Sequence, residues 1–470
     1  MKNQIKKFAN FSLGPILSGA IMAVIIPLTT YFLSPSEYGK ASMFTILQGL
    51  IASIAYFGFD QAFTREYNSI KDKKKLFMNS IIIPIAIFFL MFLISLFGLR
   101  NISSWIYPDG SYILLVVGFE LLIISTIFER FILMYIRMKE DGKRYSFYTT
   151  LIKIFVLIFT IAFILSGSRT FQLIIWSTIF GQICADIILI YQYRFLFSIH
   201  FYSWFDYKLI KRMLLFGIPI VISVSITNLL QMSDRIFLNT YGSYHELGIY
   251  TAALKIMAIM SIIQTIFVNY WVPISYRWLN EGRKTIYFQL VSELINMILA
   301  NIIFIIAICG PIITLFLSNR YDDVQYYIPL LAFSIYMSCL SETTNLGIVF
   351  SRKTYFNVYV TGITLIVNVG LSFIVIPTYG TRGAALSNAL SFMLFLILRT
   401  LLSSREGFRI KMSSHLVTIS YVFIVCVVKA FLNLSSVETI LFYVPFFVWT
   451  LFNLKNIYQS FVKLTIKSYT

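Results

Sequence analysis

Asp234 and Arg235 stand side by side inside a long apolar stretch, Leu214–Ala253, which reads LLFGIPIVISVSITNLLQMSDRIFLNTYGSYHELGIYTAA. Charged groups within a hydrophobic span are costly in lipid and by default face protein or a water-filled cavity. Polar residues support a cavity: Ser223, Thr227, Gln231 and Asp234 recur at steps of four, four and three, which is one helix face, with Asn228 and Arg235 flanking it. Sequence neighbours do not face each other on a helix, so Asp234 and Arg235 each require another partner or a ligand. Lys255 lies about nine residues into the next apolar span, roughly 13 Å at helical rise, too deep to snorkel easily.

Other spans turn polar faces as well. One carries Thr45, Gly49, Ser53, Tyr56 and Asp60, with Arg65 just beyond its end. Others carry Thr251, Lys255, Thr265 and Asn269; Gln289, Glu293 and Asn296; and Ser334, Ser338, Ser341 and Asn345, with Glu342 beside the last face. In a bundle such faces meet in a shared interior. For a single Ser or Thr the plainer reading is an interhelical hydrogen bond, worth about 0.6 kcal/mol. Glu120, Glu129, Lys153 and Asp186 admit a similar reading, as groups that pair with one another.

The elements that must position these residues are membrane-spanning helices. Of the 470 residues 58% are hydrophobic and only 12% charged, and the mean hydropathy is +0.80, far from a soluble chain. At about 20 residues per crossing, the apolar spans fall at 12–33, 41–63, 76–98, 112–136, 147–166, 170–193, 213–240, 246–272, 287–317, 326–350, 355–376, 379–402, 416–434 and 437–458. The fold class expected is therefore all-α, a polytopic membrane protein with about 14 transmembrane helices. The first span, behind Lys2, Lys6 and Lys7, has no small-residue cleavage site before a soluble domain and reads as a retained helix.

Basic residues set the orientation, because cytoplasmic loops hold the excess of Lys and Arg. With the N-terminus inside, the outer side receives only Lys40, Arg100, Arg169, Arg320 and Arg382 of the 38 cations. Lys153, Arg235, Lys255 and Lys429 lie within spans, and all the others, Arg130 and Arg399 among them, fall on the inner side. Both termini are then cytoplasmic, and the net charge of +18 reads as topology and contact with an anionic leaflet rather than nucleic-acid binding.

An internal match divides the chain. Gly14–Pro15 opens the first span as Gly217 and Pro219 open the seventh, positions that permit either a bend lining a cavity or a plain packing kink. LSPSEYGKAS at 33–42 resembles YHELGIYTAA at 244–253, with Glu37 over Glu246. Both copies have the same orientation, so the expected architecture is two pseudo-symmetric six-helix lobes, residues 1–200 and 201–410, plus a C-terminal helix pair and tail at 411–470. Cys184, Cys309, Cys339 and Cys426 lie in apolar spans without CxxC or His spacing and read as small hydrophobes. His200, His245 and His415 fall in loops or at span ends. No metal-ligating or catalytic set stands out. The 45 Phe and 30 Tyr read as lipid packing and interfacial belt.

The pattern FGIP…SDRIFLNTYGS…LGIYTAA, with LSPSEYGKAS and the closure WVPISYRW, resembles Wzx-type polysaccharide (O-antigen) flippases of the multidrug/oligosaccharidyl-lipid/polysaccharide exporter superfamily. The resemblance covers about residues 10–400 and is strongest over 214–275. It implies lobes around a central cavity, alternating access, and a bacterial inner-membrane protein that is not an enzyme. The implied cargo is an undecaprenyl-pyrophosphate-linked oligosaccharide, with membrane lipids and other polysaccharide-assembly proteins as candidate partners. Arg65, Arg235 and Lys255 are then candidates for the pyrophosphate, Asn228 and Gln231 for the sugars, and Asp60, Asp234, Glu293 and Glu342 for a coupling proton or Na⁺. No other cofactor is implied. A drug antiporter of the MATE type shares the lobes, but a net positive cavity suits small cations poorly. An integral-membrane polymerase is expected to carry a long external loop, and an O-acyltransferase an intramembrane His; the sequence offers neither.

Overall fold

A computed structural model of the chain describes residues 2–106, 112–197, 205–351, 353 and 355–466, with side chains for these except 2–11, 99–106, 269, 414, 458 and 460–466. The side chains of Lys2, Lys6, Lys7, Arg100, His200, Asn269, Arg352, Lys463 and Lys467 lie outside the described residues. Helices account for almost all of what is described, and no strand occurs there.

The internal match marks two helix starts. Helix α1 spans Lys2–Phe32 and α2 spans Pro35–Tyr56. Before α2, the Ser34 hydroxyl accepts the Glu37 N–H at 3.3 Å, and Pro35 takes the first helical position, where no N–H is needed. Before Tyr244–Asn280, Ser243 accepts the Glu246 N–H at 3.2 Å, and the Glu246 carboxylate accepts the Ser243 N–H at 3.0 Å. Serine three residues ahead of glutamate is thus the shared physical content of the two segments.

The bend comes in an unexpected place. The straight span expected at 41–63 is broken: α2 gives way to α3 (Phe59–Glu66) at 47°, through Phe57 at φ 47° and Gly58 at φ 70°. In contrast, α1 runs on through Pro15 and Pro27, and the Tyr207–Tyr241 helix runs on through Gly217 and Pro219. A proline removes one backbone bond, whereas ending a helix in hydrocarbon exposes several groups at several kcal/mol each, so continuity wins.

The remaining helices are α4 (Lys73–Ile106), α5 (Ile113–Met138), α6 (Gly142–Leu165), α7 (Gln172–Gln192), α8 (Tyr207–Tyr241), α9 (Tyr244–Asn280), α10 (Thr285–Ile308), α11 (Gly310–Leu315), α12 (Val324–Thr344), α13 (Leu346–Phe350), α14 (Tyr355–Arg405), α15 (Ser413–Leu432) and α16 (Ser436–Ile466). Among the described residues eleven helices are long and apolar enough to cross a membrane, or twelve if α2 and α3 form one bent span. The shortfall from fourteen has two sources. Gly380, at φ 52° and ψ −128°, divides α14 into arms at 355–379 and 381–405, and α5 carries Glu120, Glu129, Arg130 and Arg137 in a helix of 26 residues.

The chain forms two compact units, Met1–Leu229 and Leu230–Thr470. In the first, α6 packs against α1 and α7, and α5 packs against α4 and α7. Its core is an aromatic ladder: Phe63 meets Phe131 edge-on at 6.4 Å, and Tyr67 and Tyr193 flank Tyr135 at 6.3 and 6.2 Å. The start of α2 is tied to that of α7, since Glu37 accepts the Phe171 N–H at 2.6 Å. In the second unit α12 is the central helix, buried against α9, α10, α14 and α15, and α16 packs on α10. There the start of α9 approaches the break in α14 so closely that a Cβ on Gly380 would lie 1.9 Å from a Glu246 carboxylate oxygen.

Candidate functional site

The bend at Phe57–Gly58 places Asp60 in the first turn of α3, where Arg130 of α5 reaches it. Arg130 donates through Nη2 at 2.7 Å and Nε at 3.1 Å to the same Asp60 oxygen, and the other oxygen accepts the Gln61 N–H at 2.9 Å. Asp60 is buried, at 8% side-chain exposure, whereas Arg130 is 40% exposed. The pair lines a cavity of about 380 Å³ with Ser53, Tyr56, Gln61, Val224 and Asn228, all within the first unit. The rest of the Arg130 fork makes no hydrogen bond among the described residues. A fixed guanidinium, two amides and two hydroxyls among the apolar Ala52, Ile220, Val221 and Val224 can hold a hydroxyl-rich or anionic ligand. Gly49, Ser53, Tyr56 and Asp60, predicted on one face, line this cavity together; Thr45 instead bonds to the Ser42 carbonyl at 2.8 Å.

Arg65 lies elsewhere. It is exposed at the end of α3, its guanidinium 4.3 Å from the Phe216 ring, in a separate concavity of about 450 Å³. Deeper in this unit Gln182 donates to Glu129 at 2.8 Å and to Asp186, and Ser125 also donates to Asp186. Glu129 and Asp186 thus share one amide, and the Lys153 charge also acts on Glu129.

In the second unit Asp234 does not face a cavity. It is 2% exposed and accepts hydrogen bonds from Tyr250 at 3.0 Å, from Asn368 at 3.2 Å and from Asn388. Three converging donors replace water, so the polar group is satisfied inside the packed unit. The face predicted from Ser223 to Asp234 is therefore not one environment, because Thr227 and Gln231 are exposed. Arg235 donates through Nη2 to the Gln231 carbonyl at 3.3 Å, and its buried Nε has no acceptor among the described residues. Lys255 is half-buried on α9. Glu293 accepts from Gln289 at 2.8 Å. Glu342 pairs with Arg399 at 2.5 Å, and Arg399 also donates to Ser341 at 2.8 Å and to Asn357 at 3.2 Å. His415, expected at a span end, is fully buried at the start of α15, 2.9 Å from Ser292.

Two functional candidates escaped the sequence reading. The cation count places Arg130 and Arg399 on the inner side, yet each pairs with a carboxylate of another helix, Asp60 and Glu342. Their signal was present: an acid on a neighbouring span at similar depth.

Asp234→Ala is expected to lower membrane abundance several-fold, because three buried donors lose their acceptor at about 1–3 kcal/mol each. Asp234→Asn, which keeps the shape and one acceptor oxygen, should retain most of the protein. Quantitative immunoblotting of membranes reads both, and wild-type levels of the Ala variant would contradict the packed role.

Among the described residues no group of His, Cys, Asp and Glu has the arrangement of a metal site. Among the described residues, eleven or twelve helices long and apolar enough to cross a membrane define a multi-pass membrane protein. The chain belongs to the polysaccharide biosynthesis protein family, whose model matches residues 5–278. Among solved structures it is similar to the lipid II flippase MurJ in an inward closed conformation, at 14% identity and TM-score 0.71, over 96% of this chain and 99% of that one. It is also similar to an inward-facing multidrug resistance MATE family transporter of the MOP superfamily, at 15% identity and TM-score 0.60, over 84% and 94%. A MOP superfamily transporter from Pyrococcus furiosus matches at 14% identity and TM-score 0.51, over 86% and 96%. These likenesses establish the fold. No curated protein matches the chain.

Proposed function

We propose that the chain is a lipid-linked oligosaccharide flippase. It moves undecaprenyl-pyrophosphate-linked O-antigen or capsule repeat units from the inner to the outer leaflet by alternating access, and it catalyses no bond chemistry. The observation that carries this reading is the cavity around Asp60 and Arg130: a glycan needs a polar path through hydrocarbon, and this one offers a fixed guanidinium among amides and hydroxyls. Membership of a polysaccharide family and a fold like that of a lipid II flippase support it.

In this reading the lobes comprise 1–200 and 201–410, with 411–470 appended, and the matching serine-capped helix starts at Glu37 and Glu246 support the repeat. Arg65, Arg235 and Lys255 serve the pyrophosphate, and Asn228 and Gln231 the sugars. Of the coupling candidates for a proton or Na⁺, Glu293 and Glu342 are half-buried, Asp60 is buried at the wall of the cavity, and Asp234 is sealed. The fold is shared with a MATE transporter, so a drug antiporter is the competing reading. A deletion strain separates them: loss of surface polysaccharide, restored by the gene, supports the flippase. Intact polysaccharide with new drug sensitivity supports the antiporter.

The same reading places the protein in a bacterial inner membrane with both termini cytoplasmic. Single cysteines at Lys73, Arg144 and Arg283 in a Cys-less background should resist an impermeant maleimide in intact cells, and those at Ser168 and Ser243 should react. A reactive position 73 would reverse the orientation.

A further inference from the structure

The first unit carries a second concave site, distinct from the Asp60–Arg130 cavity. Arg65 reaches it from the end of α3, and Lys208, Lys211 and Arg212 reach it from the first two turns of α8; Leu215 and Phe216 form an apolar wall. The volume is about 450 Å³. These cations come from segments far apart in sequence, so their convergence is a product of the fold and not of one basic loop.

The charges there are only partly balanced. Arg212 lies 2.7 Å from Glu66, whose side chain is 8% exposed, and Ser69 also donates to Glu66 at 3.0 Å. Arg65, Lys208 and Lys211 form no ion pair among the described residues. The nearby Asp206 is engaged elsewhere: it accepts the Leu209 N–H at 3.0 Å and lies 2.9 Å from Lys75. The Lys75 ammonium and the helix N–H groups hold its carboxyl below the usual carboxylate range. Asp206 thus meets the positive end of α8, and three cations in the next two turns work against the helix dipole. Local helix stability does not account for them. Phe216 holds Arg65 by stacking, which fixes a guanidinium without neutralising it.

We propose that this pocket is a docking site for the phosphate group of a lipid: oxygens on the Arg65 fork and the Lys208 and Lys211 ammoniums, with the first carbons of the tail along Leu215 and Phe216. A pyrophosphate suits three unpaired cations better than a singly charged phosphodiester, since each cation gains a charge-assisted bond. The phosphate chemistry stands on the pocket alone. Its identification with the cargo's pyrophosphate rests on the flippase reading, and bulk anionic phospholipid is the other source of the same chemistry.

The test uses the full chain in phosphatidylcholine nanodiscs, titrated with farnesyl pyrophosphate and, separately, with phosphatidylglycerol, with bound lipid counted by native mass spectrometry. Farnesyl pyrophosphate should bind the wild type. The double variant Arg65→Gln/Lys211→Gln should bind at least tenfold more weakly, and Arg65→Lys at an intermediate level. Lys71→Gln, which removes an exposed cation outside the pocket, should bind as the wild type does. Both changed positions in the double variant are solvent-exposed, and its thermal unfolding is followed in parallel to verify the fold. Preference for farnesyl pyrophosphate supports the cargo as ligand; equal, pocket-dependent binding of phosphatidylglycerol supports bulk lipid. Unchanged binding by the folded double variant overturns the site. The flippase reading fails separately, through unimpaired polysaccharide export in the deletion strain.

Discussion

Arg130→Ala is expected to abolish surface polysaccharide and to deplete the protein from the membrane, whereas Asp60→Ala should abolish export with the protein largely retained. The asymmetry follows from burial. Asp60 is 8% exposed and Arg130 40% exposed, at 2.7 Å. Removing the arginine strands a buried carboxylate, a loss of about 3–5 kcal/mol for a buried pair. Removing the aspartate leaves a guanidinium that can turn to the water of the cavity, and it costs less. Replacing both partners should then restore abundance relative to Arg130→Ala alone, because no lone charge remains, while export stays lost. Arg130→Lys keeps the charge but not the two-pronged contact, and partial export is expected. Abundance is read by immunoblot and export by surface-glycan staining in a deletion strain. Full export by Arg130→Ala at normal abundance would remove the pair from the transport path. Equal depletion in both single variants would show that the pair serves packing alone.

Hydrocarbon thickness dictates helix length and so makes the helices legible, and the repeat at the starts of α2 and α9 is legible through Glu37 over Glu246, whereas the serine three residues ahead of each emerges only with the capping geometry. The glycine–proline signals, which admit either a bend or a packing kink, do not end a helix, and the reason is equally physical. A proline within a membrane helix forfeits one hydrogen bond, so α8 passes Pro219 unbroken. The real break at Phe57–Gly58 needs a left-handed backbone, which a run such as AYFGFD does not advertise. Of the candidate site, Asp60 and its polar face were readable by period. The partner Arg130 was not, because a positive charge near the end of a span looks like a topology signal until the fold shows where it points. Asp234 was readable as a buried charge but not as a satisfied one, since Asn368 and Asn388 lie more than a hundred residues away.

Gly58→Ala is expected to be among the most damaging single-methyl changes in the chain. At φ 70° an L side chain is strained by about 1–2 kcal/mol. The added Cβ would also lie 2.5 Å from the Gly217 carbonyl oxygen, a backbone atom that moves only if α8 moves. Overpacking of that kind typically costs about 1–3 kcal/mol more. Gly217→Ala separates the two contributions, because it meets the Phe57 carbonyl at 2.7 Å from within a regular helix and carries no backbone strain. Gly167→Ala isolates the other contribution, with φ at 84° and nothing within 4 Å. Gly362→Ala, on a helix with nothing within 4 Å, should be neutral or stabilising, since alanine is favoured over glycine by roughly 1 kcal/mol in a helix. Thermal unfolding of the purified variants should therefore place Gly58→Ala lowest, Gly217→Ala and Gly167→Ala between, and Gly362→Ala at or above the parent. If Gly58→Ala unfolds no earlier than Gly167→Ala, the contact with Gly217 is not what fixes the bend, and the position of Asp60 opposite Arg130 must be held by the aromatic core around Phe63 instead.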